Sequence, residues 1–198
     1  MSKVHASAYV SPEAILGEDV EIGPFSIVHD NVFIGDRTKI GAYCELGINA
    51  PIPRQESSQL RINSDSLIRS HSIFYDSSSF GSGLTTGHRV TVRERTIAGE
   101  GFQIGTLTEI QGDCSIGQHV RFQSNIFVGK KTIIGNFVWV LPYVVLTNDP
   151  TPPSDCLMGC ILEDYATLCA SSIILPGVTV GHHSLVGAAS CVTKNVEP

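Results

Sequence analysis

Residues 109–140, EIQGDCSIGQHVRFQSNIFVGKKTIIGNFVWV, carry a large apolar residue at every sixth position. These residues are Ile110, Ile116, Phe122, Val128, Ile134 and Val140. A fixed period is the mark of a repeat architecture, and it decides the fold before the propensities of single residues do. The period of six predicts a short strand followed by a bend, repeated along the chain.

The same period extends from this segment toward both ends of the chain. It starts at Val4 and holds over eight hexads to Leu46, a second block runs from Ile68 to Leu146, and a third begins at Leu162. With 42% hydrophobic residues, eight apolar residues in eight chosen positions arise by chance roughly once in a thousand trials. The hexads counted in this way number 28.

Two other positions of the hexad are also selective. Glycine often follows the apolar residue directly, which predicts a tight bend that excludes a side chain. Small or β-branched residues are common two positions before the apolar residue, where they fit beside it inside a narrow tube. The glycines include Gly17, Gly23, Gly35, Gly41, Gly105, Gly117, Gly129 and Gly135, and the small residues include Ser26, Thr38, Ser72, Thr108, Cys114 and Thr132.

Three hexads close one triangular coil, so residues 18 apart lie one above another at the spacing of neighbouring strands, about 4.8 Å. The 28 hexads then form about nine coils and a prism roughly 45 Å long. This repeat resembles that of the hexapeptide-repeat acyltransferase family over nearly the whole chain. The resemblance implies a left-handed parallel β-helix. We therefore predict an all-β fold, with one β-helix domain over residues 1–198.

Two segments interrupt the period. The first lies between Leu46 and Ile68 and the second between Leu146 and Leu168, so the two intervals are equal. Each equals one coil plus four residues, or a larger excursion that replaces part of a coil. We predict loop insertions at about 47–61 and 148–160, which are rich in proline and polar residues. In a rigid solenoid, binding residues concentrate on such loops.

Composition limits the classes of function. The formal net charge of −6 argues against a surface for nucleic acid. The N-terminal MSKVHASAYV lacks the features of a secretion signal, and no apolar run approaches the ~20 residues of a membrane span. We expect a soluble cytoplasmic protein without a membrane partner. Its six cysteines are then expected to be free thiols.

The C-terminal segment IILPGVTVGHHSLVGAASCVTKNV resembles the closing coils of coenzyme A-dependent members of the family. In those members the nucleotide lies along the outside of the last coils, where a basic residue meets its phosphates. The resemblance implies acetyl-coenzyme A or another acyl-coenzyme A as co-substrate. The implied contacts are Trp139, Gly177, Ala188 and Lys194.

The segments TGHRVTVRE and VVLTNDPTPP resemble a narrower group, the N-acyltransferases that act on nucleotide-linked amino sugars of surface polysaccharides. The match includes His88, Arg93, Glu94, Asn148 and Asp149. The resemblance implies N-acylation, most simply N-acetylation, of such a sugar. Arg93, Asn148 and Asp149 are the candidate acceptor-binding residues. For Asn148 and Asp149 the reason is that short polar side chains bind sugar hydroxyls or an amine directionally.

The register of the coils gives these residues candidate roles. Asp76 precedes Glu94 by one full coil, and His71 precedes Arg89 by the same interval, so a second carboxylate and a second imidazole come close to the motif. We predict His88 as the general base and Glu94 as the group that holds the substrate ammonium, with Asp76 and His71 beside them. The proton can also leave directly with the departing sulfur.

Three alternatives remain. The first is an O-acetyltransferase acting on a sugar or another small hydroxyl acceptor. The second is a zinc enzyme like the carbonic anhydrases built on such prisms, which use two histidines five residues apart. No two histidines have that spacing, and Cys156 and Cys160 lack further ligands nearby, so we expect no metal. The third is a non-catalytic scaffold.

By resemblance, we also expect a homotrimer of parallel prisms with the active site between neighbours.

Overall fold

The computed structural model describes residues 2–50 and 59–198, and every regular element in these residues is a β-strand. The strands are β1 (Lys3–Val4), β2 (Tyr9–Val10), β3 (Ile15–Leu16), β4 (Glu21–Ile22), β5 (Ile27–Val28), β6 (Val32–Ile34), β7 (Lys39–Ile40), β8 (Glu45–Ile48), β9 (Leu60–Ile62), β10 (Leu67–Ile68), β11 (Ile73–Tyr75), β12 (Ser79–Phe80), β13 (Thr85–Thr86), β14 (Thr91–Val92), β15 (Ile97–Ala98), β16 (Gln103–Ile104), β17 (Glu109–Ile110), β18 (Ser115–Ile116), β19 (Arg121–Phe122), β20 (Phe127–Val128), β21 (Ile133–Ile134), β22 (Trp139–Val140), β23 (Val145–Leu146), β24 (Ile161–Leu162), β25 (Thr167–Leu168), β26 (Ile173–Ile174), β27 (Thr179–Val180), β28 (Leu185–Val186) and β29 (Cys191–Val192).

Each strand from β1 to β26 pairs in parallel with the strand three elements later, which produces three sheets wound around one axis. The first sheet contains the ten strands β1, β4 and onward to β28, the second the ten strands β2 to β29, and the third the nine strands β3 to β27. Val92 lies opposite Ile110, the equivalent position of the next coil, as the repeat period predicts. The predicted all-β parallel β-helix is confirmed. We call the bends that follow strands of the three sheets the first, second and third corners.

The described residues contain 29 strands, one more than the 28 hexads of the repeat count, and they form about ten coils. The difference arises at Ile62, a hexad that the count omitted and that pairs with Ile34 in the third sheet. These two residues are 28 apart, and so are Ile134 and Leu162 at the second interruption. Each interruption therefore adds ten residues at one corner and replaces no part of a coil.

Both insertions leave from the second corner. The first lies between the end of β8 at Ile48 and the start of β9 at Leu60, so it is shorter than the predicted 47–61, and residues 51–58 of it fall outside the described part of the chain. The second lies between β23 and β24, at residues 147–160, one residue longer than predicted. The two loops frame the middle coils of the second corner.

The glycines after the apolar residues have a different cause from the predicted one. Their φ angles are not in the left-handed region, but a Cβ atom on Gly105 would lie 2.2 Å from the carbonyl carbon of Gln123 in the next coil. Close stacking of coils excludes the side chain there. The left-handed residue comes two positions later in the hexad, and it is most often not a glycine, as at Leu107, Asn125 and Phe137.

The interior of the prism is apolar, and the hydroxyls at its edge are satisfied. The apolar residues of the hexads point inward, and Phe74, Phe80 and Ile110 are fully buried. The small polar residue two positions earlier closes the corner, as Thr132 does by donating a hydrogen bond to the carbonyl oxygen of Gly129 at 2.7 Å. Within the described ranges, the structure contains no helix long and apolar enough to cross a lipid bilayer.

Candidate functional site

The motif at residues 85–96 runs through β13 and β14 and turns two corners. His88 follows β13 and therefore lies at the first corner, whereas Glu94 follows β14 and lies at the second corner. The sequence-predicted residues divide in the same way. His71 accompanies His88 at the first corner, and the second corner carries Asp76, Arg93, Glu94, Asn148 and Asp149.

The first corner forms an open pocket of about 350 Å³, which we call the histidine pocket. Its lining residues are Ser70, His71, His88, Arg89, Thr106 and Leu107. The Nδ1 atom of His88 lies 2.7 Å from the hydroxyl oxygen of Ser70 in the coil below. The backbone amide of His88 donates to the Thr106 hydroxyl at 3.1 Å in the coil above. The hydroxyl of Ser70 therefore holds the exposed ring of His88, and the hydroxyl of Thr106 holds its backbone.

His71 lies in the same pocket, one coil below the level of Arg89. It adopts the left-handed conformation with a φ of 63°, and its ring stacks on Tyr43 with ring centroids 5.0 Å apart. The predicted approach of a second imidazole to His88 is therefore found. The carboxylates predicted beside His88 are not in this pocket, because Asp76 and Glu94 lie at the next corner.

The second corner carries a cluster of five ionised side chains, which we call the charge cluster: Arg93, Glu94, Arg95, Asp113 and Lys130. The side chain of Glu94 is 0% exposed. Its Oε1 lies 3.1 Å from Nζ of Lys130, and its Oε2 lies 3.1 Å from Nε of Arg93. Both oxygens are already engaged by cations of the chain, so this geometry does not fit the predicted role of Glu94 in holding a substrate ammonium.

Glycine makes the contact between Glu94 and Lys130 possible. The two residues are 36 positions apart, which is two coils, and Gly112 occupies the equivalent position in the coil between them. Gly112 has a φ of 93°, and a Cβ atom on it would lie 2.5 Å from the carbonyl oxygen of Glu94. Because Gly112 has no side chain, the carboxylate and the ammonium meet above it.

The ionisation of the charge cluster follows from these contacts. Burial acts to raise the pKa of the Glu94 carboxyl, but a hydrogen bond from its own backbone amide, together with Lys130 and Arg93, outweighs burial and lowers that pKa. The hydrogen bonds from Arg95 lower the pKa of Asp113 against the opposite effect of its burial. Both carboxyls are therefore ionised at neutral pH.

The other acidic residues of the second corner are also satisfied within the chain. Asp76 is buried one coil below Glu94, as predicted, and its Oδ1 accepts from the backbone amide of Ala50 at 3.2 Å. Asp149 accepts from the backbone amide of Ser154 at 3.0 Å and from its hydroxyl at 2.6 Å. The hydroxyl of Ser154 is the main cause of the lowered pKa of Asp149. The Asp149 carboxylate therefore stabilises its own loop.

Asn148 remains available at the second corner. Its carbonyl oxygen accepts from the backbone amide of Met158 at 2.7 Å, which closes the base of the second loop. Its half-buried side chain lies over Gly129, one coil above the charge cluster. Among the predicted acceptor-binding residues, Asn148 is the one whose side chain makes no hydrogen bond or ion pair within the described part of the chain.

The four residues predicted to contact coenzyme A do not form one site within the chain. Trp139 lies on the outer surface of the first sheet and is 44% exposed. Ala188 lies at the first corner, whereas Gly177 and the exposed Lys194 lie at the second. These residues therefore occupy a face and two corners of the prism.

Sequence reasoning missed Lys130 as a partner of Glu94, and it placed Ser70 one coil below His88 without giving it a role. Both spacings can be read from the sequence, because the coil period predicts which residues share a column. Lys130 follows Glu94 by 36 positions, and His88 follows Ser70 by 18. The same spacing would have predicted that Glu94 is paired. Residues 2–50 and 59–198 contain no group of three or more histidine, cysteine, aspartate or glutamate side chains arranged to hold a metal ion.

Comparison with known proteins supports the hexapeptide repeat and the fold. The stacked hexads define a hexapeptide-repeat β-helix protein, and residues 13–47 match the family described as bacterial transferase hexapeptide (six repeats). The bifunctional protein GlmU of Thermotoga petrophila is 29% identical over 183 residues, which cover 90% of this chain and 38% of that protein. The chain thus spans less than two fifths of the length of this relative.

Two solved structures share the fold. The UDP-N-acetylglucosamine acyltransferase of Francisella novicida is 18% identical with a TM-score of 0.54, and the match covers 97% of this chain and 63% of that one. The Arabidopsis UDP-N-acetylglucosamine acyltransferase is 15% identical with a TM-score of 0.57, covering 98% and 68%. At these identities the similarity establishes the β-helix fold. The activity has to be argued from the candidate site.

Proposed function

We propose that the protein transfers an acyl group from an acyl-coenzyme A to the amine of a nucleotide-linked sugar. The observation that carries this proposal is the exposed imidazole of His88, held by Ser70 in an open pocket of a hexapeptide-repeat prism. When Nδ1 donates its proton to the Ser70 hydroxyl, Nε2 carries a lone pair and can accept a proton. The names of the two solved structures, both acyltransferases, support the same class of reaction.

The reaction forms an amide and breaks a thioester. The amine nitrogen attacks the thioester carbonyl carbon, the carbon–sulfur bond breaks, and the sulfur leaves as a thiolate. His88 takes a proton from the attacking nitrogen and returns it to the thiolate, so the atoms and charges balance. The histidine pocket has no carboxylate in its lining, and the nearby cation of Arg89 lowers the pKa of an amine, which favours the neutral, nucleophilic form.

A second candidate is transfer to a sugar hydroxyl. It is favoured by the absence of a carboxylate among the lining residues, because a neutral hydroxyl needs a base but no counterion. The test is incubation with acetyl-coenzyme A and matched pairs of nucleotide sugars that carry an amine or a hydroxyl at the same carbon. Mass spectrometry of the sugar then identifies the acylated product. An acylated amino sugar supports the main proposal, an acylated hydroxyl sugar supports the second candidate, and no acylation of either overturns both.

The division of the predicted residues between two corners supports an active site shared by neighbouring copies. A three-fold assembly of parallel prisms keeps equivalent coils at one height, so the first corner of one copy can face the second corner of the next, where Asn148 lies three coils, about 14 Å, above the level of His88. Mixed assemblies of His88→Ala and Asn148→Ala chains test this arrangement. Recovery of part of the activity is expected for a shared site, whereas no recovery in assemblies that demonstrably contain both chains contradicts it.

A further inference from the structure

A second open cleft lies on the first sheet, at the edge opposite to the histidine pocket. It has a volume of about 380 Å³, and its lining residues are His119, Arg121, Phe137 and Trp139. His119 and Phe137 lie at the third corner with their rings stacked, 5.2 Å between centroids. Arg121 and Trp139 follow them on β19 and β22, where they are direct neighbours in the sheet. We call this group the aromatic cleft.

The aromatic cleft carries a positive charge that no acidic side chain of the cleft neutralises. The guanidinium of Arg121 makes no hydrogen bond or ion pair to any residue that the structure describes, and no carboxylate lines the cleft. By contrast, Arg37 and Arg95 are each paired with an aspartate. In a protein with a formal net charge of −6, an unpaired guanidinium beside two exposed aromatic rings provides a local site for an anion.

We propose that the aromatic cleft binds the nucleotide part of a substrate, with the base against Trp139 and Phe137 and a phosphate on Arg121. Aromatic side chains stack on nucleobases, and a guanidinium binds phosphate through paired hydrogen bonds. The opposite side of the same ring stack is unsuitable for an anion, because Glu163 and Asp164 line the pocket there. This inference rests on the proposed function for its choice of a nucleotide substrate.

The position of the aromatic cleft relative to the histidine pocket fits an extended nucleotide-linked molecule. The histidine pocket lies at the ends of β10, β13 and β16, whereas the cleft lies at the starts of β19 and β22 in the same sheet. Two to three strand spacings separate them along the prism axis, about 12 Å. The outward residues Thr85 and Gln103 of this sheet are polar and uncharged. The acyl donor and the nucleotide-linked sugar both carry a nucleobase and phosphates, so the cleft suits the nucleotide part of either one.

Trp139 is the only tryptophan of the chain, so its fluorescence reports on the cleft directly. The experiment titrates the intact protein with adenosine 3′,5′-bisphosphate, to represent the acyl donor, and with UDP, to represent the sugar substrate. Inorganic pyrophosphate serves as the phosphate-only control. Saturable quenching by one nucleotide, without quenching by pyrophosphate, is expected, and the nucleotide that binds more tightly identifies the source. The proposal is overturned if neither nucleotide quenches saturably up to millimolar concentrations.

A pair of arginine variants separates binding from a general effect of charge. Arg121→Gln is expected to raise the Kd of the quenching nucleotide at least tenfold. Arg61→Gln is the matched control, because Arg61 also points outward from a strand but its guanidinium lies 4.3 Å from the ring centroid of Phe33. Arg61→Gln is expected to leave the Kd unchanged. Equal effects of the two variants, with unchanged circular dichroism, would contradict the assignment.

The failure of this inference is distinguishable from failure of the proposed function. The titration measures binding without turnover, and His88→Ala is expected to retain the quenching. Quenching without any acyl transfer supports the cleft and overturns the proposed function. Acyl transfer without quenching supports the function and overturns the nucleotide assignment of the cleft.

Discussion

Two halves of one motif, six residues apart, have opposite environments. His88 and Arg89 lie in an open pocket, and the described part of the chain offers the imidazole only the hydroxyl of Ser70 as a side-chain partner. Arg93 and Glu94 lie at the next corner, where the carboxylate is fully buried and held by two cations. Both halves look equally suited to chemistry in the sequence. The structure makes the first half available to a substrate and the second half part of the framework.

The difference teaches that the neighbouring coils decide the role of a polar residue in this fold. At the first corner, Ser70 and Thr106 lie below and above His88, and each provides one hydroxyl. At the second corner, Gly112 leaves room for Lys130 to reach Glu94. A charged side chain with a partner in its column stabilises the prism, whereas one without a partner is free to act on a ligand.

Removal of the base in the open half is expected to have the largest effect. His88→Ala should lower the rate of acyl transfer about 10²–10⁴-fold, because general-base catalysis contributes on this scale. The melting temperature should stay near that of the wild type, since the side chain is exposed. The measurement is steady-state kinetics with thermal unfolding, and His5→Ala is the exposed control. Wild-type turnover in His88→Ala would exclude the residue as the base.

Removal of the carboxylate in the closed half should act on stability instead. Glu94→Gln leaves the partly exposed Lys130 and Arg93 without their buried counterion, and the loss of hydrogen bonds to a charged group costs about 1.5–3 kcal/mol. Denaturant unfolding measures this loss, with the exposed Glu109→Gln as control. The double variant with Lys130→Met should lose less than the sum of the single variants. Unchanged stability with weakened acceptor binding would instead restore the ammonium-holding role of Glu94.

Substitution of Gly112, which lies between Glu94 and Lys130, is expected to have an intermediate effect on stability. Gly112→Ala places a Cβ atom in a left-handed conformation, which costs about 1–2 kcal/mol, and the contact with the carbonyl oxygen of Glu94 adds to that cost. Gly187→Ala is the matched control, because the nearest atom to its Cβ would be the Ser190 hydroxyl at 3.6 Å. The free energy of unfolding should therefore be clearly lower for Gly112→Ala than for Gly187→Ala. Equal stabilities would show that the space above Gly112 is not required.

The smallest expected effect is a shift of acid unfolding. The pKa values of Glu94 and Asp113 are lowered in the folded chain, so their ion pairs stabilise the fold fully above the ordinary carboxyl pKa of about 4. This stabilisation is lost as the pH falls through the lowered values. Lys130→Met removes a partner of both carboxyls and should move the midpoint of acid unfolding to higher pH. A midpoint that stays unchanged would show that Lys130 does not stabilise the ionised carboxyls.

The repeat was predictable because its apolar residues obey one local rule, whereas the interruptions were not. The column of each residue follows from counting 18, and this count placed Asp76 below Glu94 and Ser70 below His88. At the loops the count fails, because ten added residues change the interval to 28. The reason for the glycines was also missed, since close contact between coils is a property of stacked backbones.

The sequence by itself determined the three-sided prism, the inward residues and, between the loops, the membership of each column. The physical reason is that burial of one apolar residue per hexad allows only one register for the strands. Only the tertiary structure decided which polar residues are paired. That outcome depends on contacts across one or two coils and on whether the residue between them has a side chain, as at Gly112. It left His88 and Arg121 open to ligands and closed Glu94 within the framework.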